Sequence, residues 1–163
     1  MAYKSCLRSD FEVFVTRHES MVYRTALAIA GNISDAEDIV QDVFWRAFEK
    51  SPKFESEEHE NAWLIRVTVN LCNSHLRSPW RRRRSPLLDS YPAAEPEQQE
   101  LLEIIMTLPH KYRTAIHLFY YEGYSIKDIS GLTGQREATI RSHLTRARQK
   151  LKSIIKEDRY EEI

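Results

Sequence analysis

A proline- and arginine-rich stretch at residues 78–96, Ser-Pro-Trp-Arg-Arg-Arg-Arg-Ser-Pro-Leu-Leu-Asp-Ser-Tyr-Pro-Ala-Ala-Glu-Pro, breaks every helical pattern around it. Proline lacks the amide proton that a helix interior or central strand needs, and four of the chain's 6 prolines fall here. On both sides apolar residues recur at helical spacing and strand-like alternation is scarce. Only 4 glycines occur among 163 residues. The chain is therefore expected to be all-α, with two small helical domains joined by a flexible linker: residues 1–77, linker 78–96 and residues 97–163.

In the first half, the spacing predicts a helix from about Asp10 to Ala30, with Phe11, Phe14, Val15, Met21, Val22 and Leu27 on its buried side. Gly31-Asn32 is a helix stop. Ser34, with Glu37 three residues on, has the form of a capping box for the next helix. That helix would turn Ile39, Val40, Val43, Phe44, Ala47 and Phe48 inward and end at Ser51-Pro52. A third is expected over roughly Asn61 to Leu76, with Trp63, Leu64, Val67 and Leu71 as core. The second half predicts helices at about 97–106, 110–121, 126–132 and 137–155. Pro109 suits a helix start, Glu122-Gly123 a stop and Ser125 a cap. Gly131 costs its helix about 1 kcal/mol and predicts an early end there.

The formal net charge is zero, but the charges are unevenly placed. Residues 1–70 carry 8 basic and 12 acidic side chains, whereas residues 71–88 carry 5 arginines and no acid. From Arg136 to Lys156 there are 7 basic residues against Glu137 alone. Local basic stretches in a neutral chain point to a confined polyanion contact and an acidic face for something else. The last of them lies in Tyr124 to Arg148, which reads as a short helix, a glycine turn and a longer helix. That is the grammar of a helix-turn-helix, whose second helix enters the DNA major groove.

On this second helix Ile140, Leu144, Ala147 and Leu151 share a core face, and Arg141, Ser142, Thr145 and Arg146 share another. An arginine there can pair bidentately with guanine. Arg136 and Thr139, near the helix start, could reach phosphates or bases, and Arg148, Lys150 and Lys152 suit phosphates. His143 fits either a phosphate contact or plain exposure. The linker's nineteen residues extend to roughly 60 Å at ~3.3 Å each. That exceeds one ~34 Å turn of DNA, so the two domains could touch separate sites on one duplex. By itself the helix-turn-helix does not separate an activator, a repressor and a polymerase subunit.

The separating feature is the helix at Asp35 to Phe48. Opposite its apolar side, Asp38, Gln41, Asp42, Trp45 and Glu49 are helical neighbours on one outer face. A tryptophan bordered by acids suits protein docking, although an ordinary solvated face has the same pattern.

Asp35 to Phe48, followed by Ala62-Trp-Leu-Ile-Arg-Val-Thr-Val-Asn70 and Arg77, resembles region 2 of an extracytoplasmic-function (ECF) sigma factor. Leu108 to Ser125 and the helix-turn-helix after it are similar to region 4 of the same family. The resemblance covers nearly the whole chain, in the right order and with the linker between. It implies a factor that binds core RNA polymerase and directs promoter-specific initiation. Asp38, Gln41, Asp42 and Trp45 would grip the coiled coil of the beta-prime subunit, with the beta subunit a further partner. Arg66, Asn70, Asn73 and Arg77 recur at helical spacing and would face the opening −10 element, where a backbone track and base pockets act. Lys53 and Phe54 in the preceding loop are additional candidates, whereas the periodicity of Trp63 assigns it to the core. The −35 element would be read through Arg136, Thr139, Arg141, Ser142, Thr145 and Arg146.

The resemblance also implies promoter DNA and an anti-sigma factor as partners. Arg81 to Arg84 would contact phosphate or polymerase, or form a solvated basic tract. Three places depart from the family pattern, one of them Ser130-Gly131, a less helical pair than usual. Ser74 stands where an aspartate is common, and Gln135 replaces an apolar residue in the turn, which predicts looser packing there.

No catalytic residue, metal, cofactor or small-molecule substrate is expected. The histidines (His18, His59, His75, His110, His117, His143) are scattered without paired ligand spacing. Asp38 and Asp42, one helical turn apart, could hold Mg²⁺ as a nuclease would require. A LuxR-type regulator shares the Thr-Ile-Arg-Ser-His-Leu run, but it would more often carry a ligand or receiver domain and leaves the Trp45 face without a use. Cys6 and Cys72 show no ligand spacing, which fits a reducing compartment. Charges at Lys4, Arg8, Asp10 and Glu12 argue against a signal peptide, and no apolar run approaches the ~20 residues of a membrane span. A cytoplasmic protein without direct membrane insertion is expected.

Overall fold

The computed structural model describes residues 2–78 and 103–161, with side chains for 9–78 and 103–156. The linker expectation, Arg81 to Arg84, the start of the 97–106 helix and the Cys6 side chain lie outside these residues. The described residues are helical, with no strand among them, and none of their helices is long and apolar enough to cross a membrane.

Helix α1 spans Ala2–Ala30, longer than the apolar pattern predicts. Its buried residues His18, Val22, Thr25, Ala26 and Ile29 follow the helical repeat. Gly31, in the left-handed region at φ 85°, ends it, and its N–H returns to the Leu27 carbonyl at 2.9 Å. Helix α2 spans Ile33–Lys50 and is capped by Asn32 rather than Ser34. Asn32 Oδ1 accepts the Asp35 N–H at 2.8 Å, and its Nδ2 donates to Asp35 Oδ2 at 2.8 Å. An amide can both give and take at a helix start; a serine hydroxyl inside the first turn has no such geometry. Helix α3 spans Glu57–Arg77, starting four residues earlier than predicted because Ser56 caps it. Glu57, Glu58 and Glu60 occupy its first turn and His75 and Arg77 its last, each sign suited to the nearby end of the helix dipole.

Ala36, Ile39, Val43, Phe44 and Ala47 of α2 and Leu64, Ile65, Val69 and Cys72 of α3 close the first core against α1. Phe48 does not join them. It is 54% exposed, because Ala47 already takes the core position and the next residue turns about 100° away.

The second half contains helical residues 103–106, helix α4 at His110–Ile116, a π-helical turn at His117–Tyr121, α5 at Ile126–Thr133 and α6 at Glu137–Glu161. The π turn wedges an extra residue into the helix: Glu122 N–H reaches back five residues to His117 O at 3.0 Å. It buries His117 and Leu118 while leaving Tyr120 and Tyr121 on the surface. Ser125 caps α5 as predicted, accepting the Asp128 N–H at 3.1 Å. Gly131 does not end the helix. The stop is Gly134 at φ 73°, whose N–H bonds Ser130 O at 2.9 Å. Gln135 leaves the turn ordered: its carbonyl accepts the Ser130 hydroxyl at 2.6 Å and its N–H donates to Thr133 Oγ1 at 3.3 Å. Ile129, Leu132, Ile140, Leu144 and Ala147 form the core of the turn.

The two halves are packed together. Helix α1 meets α2 and α3, and it also meets α4 and the π turn; α3 meets α5. Leu108, Tyr112, Ala115 and Ile116 thereby join Val22, Ala26 and Ile29 in one continuous apolar cluster.

Candidate functional site

The α2 face is displayed as its periodicity requires. Asp38, Gln41, Asp42 and Trp45 are all exposed, Trp45 to 60%. The structure adds Phe48, whose ring lies 6.0 Å from that of Trp45 in a stacked arrangement and 5.3 Å from Phe11 edge-on. The face is thus an aromatic pair among carboxylates, a form that suits protein docking because aromatic area orders cheaply. Asp35, Asp38 and His75 bring one ligand atom each within 4.8 Å of one another, a different grouping from Asp38 and Asp42. Asp35 already holds the Asn32 cap and lies 3.7 Å from His75 Nε2. It sits at the start of α2, where the helix dipole itself favours a carboxylate.

On α3, Arg66, Asn70 and Arg77 are exposed and Asn73 is half-buried, on one side of the helix. Arg66 is engaged: its Nη2 donates to the Gly131 carbonyl of α5 at 3.4 Å. In the preceding loop Lys53 is exposed, whereas Phe54 is half-buried between Phe14 at 6.3 Å and Trp63 at 5.7 Å. Phe54 and Trp63 therefore pack the loop onto the first core.

Arg136, just before α6, and Arg141, Thr145 and Arg146 on it are exposed, and Thr139 and Ser142 are half-buried. Periodicity does not reveal their neighbours. Arg141 Nη2 is paired with Glu137 Oε2 at 3.1 Å. The Arg146 guanidinium beside the Tyr112 hydroxyl lowers that tyrosine's pKa, first by hydrogen bonding, with Lys111 and Lys150 adding to the effect. Arg148 donates from Nε to the Tyr120 hydroxyl at 2.6 Å and lies over the Phe119 and Tyr120 rings, so it does not simply point outward toward phosphate.

His143 is neither exposed nor placed for a phosphate. It is buried edge-on against Tyr112 at 5.6 Å, and burial first, then Lys111 and Arg146, pushes its pKa down. The second half also carries a groove that the helical pattern does not reveal. Ile105, Ile116, Tyr120, Leu151 and Ile155 line it, together with the cations Arg148, Lys152 and Lys156. Its residues come from three segments, and no single helical repeat contains them.

Two family models cover most of the chain: Sigma-70 region 2 over residues 14–82 and Sigma-70, region 4 over residues 98–151. The ECF RNA polymerase sigma factor SigM of Mycobacterium tuberculosis is 31% identical over 153 residues, covering 91% of this chain and 78% of that one. SigW of Bacillus subtilis, also an ECF RNA polymerase sigma factor, is 25% identical over 94% of this chain and 95% of its own. Among solved structures, the sigma factor RpoE of Bartonella quintana in complex with the anti-sigma factor NepR superposes with a TM-score of 0.76. The match is at 26% identity, over 90% of this chain and 97% of that one. CnrH in complex with the cytosolic domain of CnrY has the same fold, with a TM-score of 0.65 at 22% identity. An exposed acidic-aromatic helix, an arginine-bearing helix-turn-helix and these matches over both halves converge: the chain belongs to the ECF group of the sigma-70 family of RNA polymerase sigma factors.

Proposed function

We propose that this chain docks on core RNA polymerase through α2 and carries it to a two-part promoter. Asp38, Gln41, Asp42 and Trp45, with Phe48 beside them, bind the beta-prime subunit. The groove at Ile105, Leu151 and Ile155 offers a further contact, to the beta subunit. Arg66, Asn70, Asn73 and Arg77 track the −10 element, and Arg136, Thr139, Arg141, Ser142, Thr145 and Arg146 read the −35 element. The functional division is residues 1–77 for region 2, 78–96 for the linker and 97–163 for region 4. The chain acts in the cytoplasm, without catalysis of its own. An anti-sigma factor is a further partner, by analogy with the RpoE–NepR complex.

The observation that carries this reading is the pairing, on one chain, of the exposed Trp45 face with the exposed arginines of a helix-turn-helix. DNA binding alone requires only the second. Run-off transcription with core polymerase tests it: Trp45→Ala weakens polymerase binding, and Arg146→Ala weakens promoter selection while sparing polymerase binding. A protein with no affinity for core polymerase refutes the reading, and cleavage of DNA without polymerase refutes the absence of catalysis.

A further inference from the structure

Tyr112 of α4 is buried, and the charges that act on its hydroxyl are all positive. Arg146 of α6 hydrogen-bonds that hydroxyl, and Lys111 and Lys150 act on it through their charge. Both lysines also lie over the ring, Lys111 Nζ at 5.1 Å from its centroid and Lys150 Nζ at 5.6 Å. The face of an aromatic ring is negative and attracts an ammonium, which holds a flexible lysine near one place. The tyrosine therefore has two tasks: its hydroxyl engages Arg146, and its ring gathers two lysines from two helices.

Three cations so gathered repel one another, and an arriving anion relieves the repulsion. All three are exposed, so an anion can reach them. His143, edge-on to the same ring at 5.6 Å, adds no charge. Burial first, then Lys111 and Arg146, push its pKa down, so it is uncharged at neutral pH.

The position of the cluster on α6 identifies the anion. Arg141, Ser142 and Thr145 form the middle of the face assigned to the major groove. Arg146 lies about 100° further round the helix than Thr145, and Lys150 is one turn beyond Arg146. A helix with its side chains is about 10–12 Å across and the major groove about 12 Å wide, so a seated helix meets a phosphate backbone on each flank. Arg148, on the other flank, is turned onto Tyr120. Lys111 belongs to α4, outside the helix-turn-helix, and joins this flank because Tyr112 packs against α6 at His143.

We propose that Tyr112 assembles Lys111 and Lys150 into a phosphate site on the flank of α6, which grips the sugar-phosphate backbone of duplex DNA and leaves Arg146 to the bases. The proposal rests on the −35 reading for which duplex is bound, and on the contacts above for the grip itself. Such a contact positions the helix without selecting a sequence. Lys111 thereby extends the DNA surface of region 4 onto α4.

The test compares the wild type with Lys111→Gln, Lys150→Gln and Lys156→Gln, the last about 15 Å along α6 from Arg146. Each is measured as the full chain on a random-sequence duplex and as holoenzyme on the promoter duplex that supports run-off. One phosphate contact contributes about 0.9 to the slope of log affinity against log salt. Lys111→Gln and Lys150→Gln should each lower the slope by about that amount, and Lys156→Gln should leave it unchanged. At 0.15 M salt the affinity should fall about fivefold for each of the first two, on cognate and scrambled −35 sequences alike. Tyr112→Phe keeps the ring and should keep the wild-type slope.

The three lysines are exposed, so their replacement should leave the fold intact, which circular dichroism checks. Unchanged slopes for Lys111→Gln and Lys150→Gln overturn the phosphate site, as does a failure to bind either duplex. An equal fall for Lys156→Gln overturns it too, because general charge rather than a built cluster would then set the slope. A loss on the cognate sequence alone would make the two lysines base readers and overturn their assignment to phosphate. The promoter reading is decided by other outcomes, affinity for core polymerase and the effect of Arg146→Ala on promoter selection, neither of which depends on Lys111.

Discussion

On the outer face of α2, Gln41, Asp42 and Trp45 extend into solvent with only Phe48 added by the fold, whereas on α6 the arginines have fixed neighbours. Arg141 is held by Glu137, Arg146 lies at Tyr112, and Arg148 lies at Tyr120. The first surface needs little beyond a helix. The second depends on α4 and the π turn, which supply Tyr112 and Tyr120. Arginine side chains carry large rotamer entropy, and ordering them before contact lowers the cost of binding. Region 4 is therefore the more preorganised of the two surfaces, and it is the one whose proposed task requires distinguishing bases.

This contrast lies at the surface only, because beneath it the two halves share one apolar cluster. Leu64 of α3 and Leu144 of α6 are both fully buried. Truncating either to alanine should destabilise the protein by about 2–5 kcal/mol. Both variants should show a single denaturant transition, because α1 is common to both sets of contacts. Urea unfolding followed by far-UV dichroism checks this. Two separated transitions, with only one moved by each variant, would break the shared-core account and make the halves independent.

A smaller effect is expected at the surface. Tyr112→Phe removes the hydroxyl beside Arg146 while keeping the ring that packs on His143. Discrimination between a cognate and a scrambled −35 duplex should fall about twofold, the size of a surface contact weaker than one ordinary hydrogen bond. Affinity for core polymerase should not move. Equal loss on both duplexes would mean that Arg146 only contacts phosphate, and the preorganisation claimed for α6 would lose its main support.

The features that were legible in the sequence are those with a local cause. Ile39, Val43, Leu64, Ile140 and Leu144 are core because a 3.6-residue repeat leaves them no other face, and Ser125 caps α5 because its hydroxyl suits that position. Asp38, Gln41, Asp42 and Trp45 were placed on the surface by the same repeat. What was not legible depends on contacts distant in the chain. Periodicity leaves His143 on the flank of the core stripe, and the arrival of Tyr112 buries it. Arg113 reads as one more basic residue on a short helix until Ala28 and Ile29 come within reach of it. Phe48 lies outside the core for a local reason, since a pattern of apolar residues does not say which of two adjacent ones, Ala47 or Phe48, takes the core position.

Acidification should sharpen the comparison at the seam between the halves. Burial pushes the Glu122 pKa up, but the hydrogen bond and charge of His117, and then Arg24, pull it down further, so the net shift is downward. A carboxyl with a folded pKa below its unfolded one stabilises the fold above the unfolded value of about 4.5, and that contribution is lost as pH falls through the folded value. Glu122→Gln should therefore flatten the acid limb of a stability-against-pH curve while changing neutral-pH stability modestly. If the two curves run parallel down to acid pH, the Glu122 cluster does not couple the halves.

The smallest effect is expected at Cys72, deep in region 2. Its thiol is pushed up to about 12, first by burial and then by the negative charge of Asp35. The thiolate is the reactive form, so at pH 8 the folded protein should leave this sulfur unreactive toward iodoacetamide. The linkage has the opposite sign to that of Glu122. A thiol with a raised folded pKa contributes stability that is kept below its ordinary value near 9 and lost as pH rises toward 12. Peptide mass spectrometry should find Cys72 alkylated only when urea has unfolded the chain, at the same midpoint as the dichroism transition. Labelling at lower urea would mean that α3 leaves α1 before region 4 does. The acidic half would then be the less stable of the two, despite the core it shares with the helix-turn-helix.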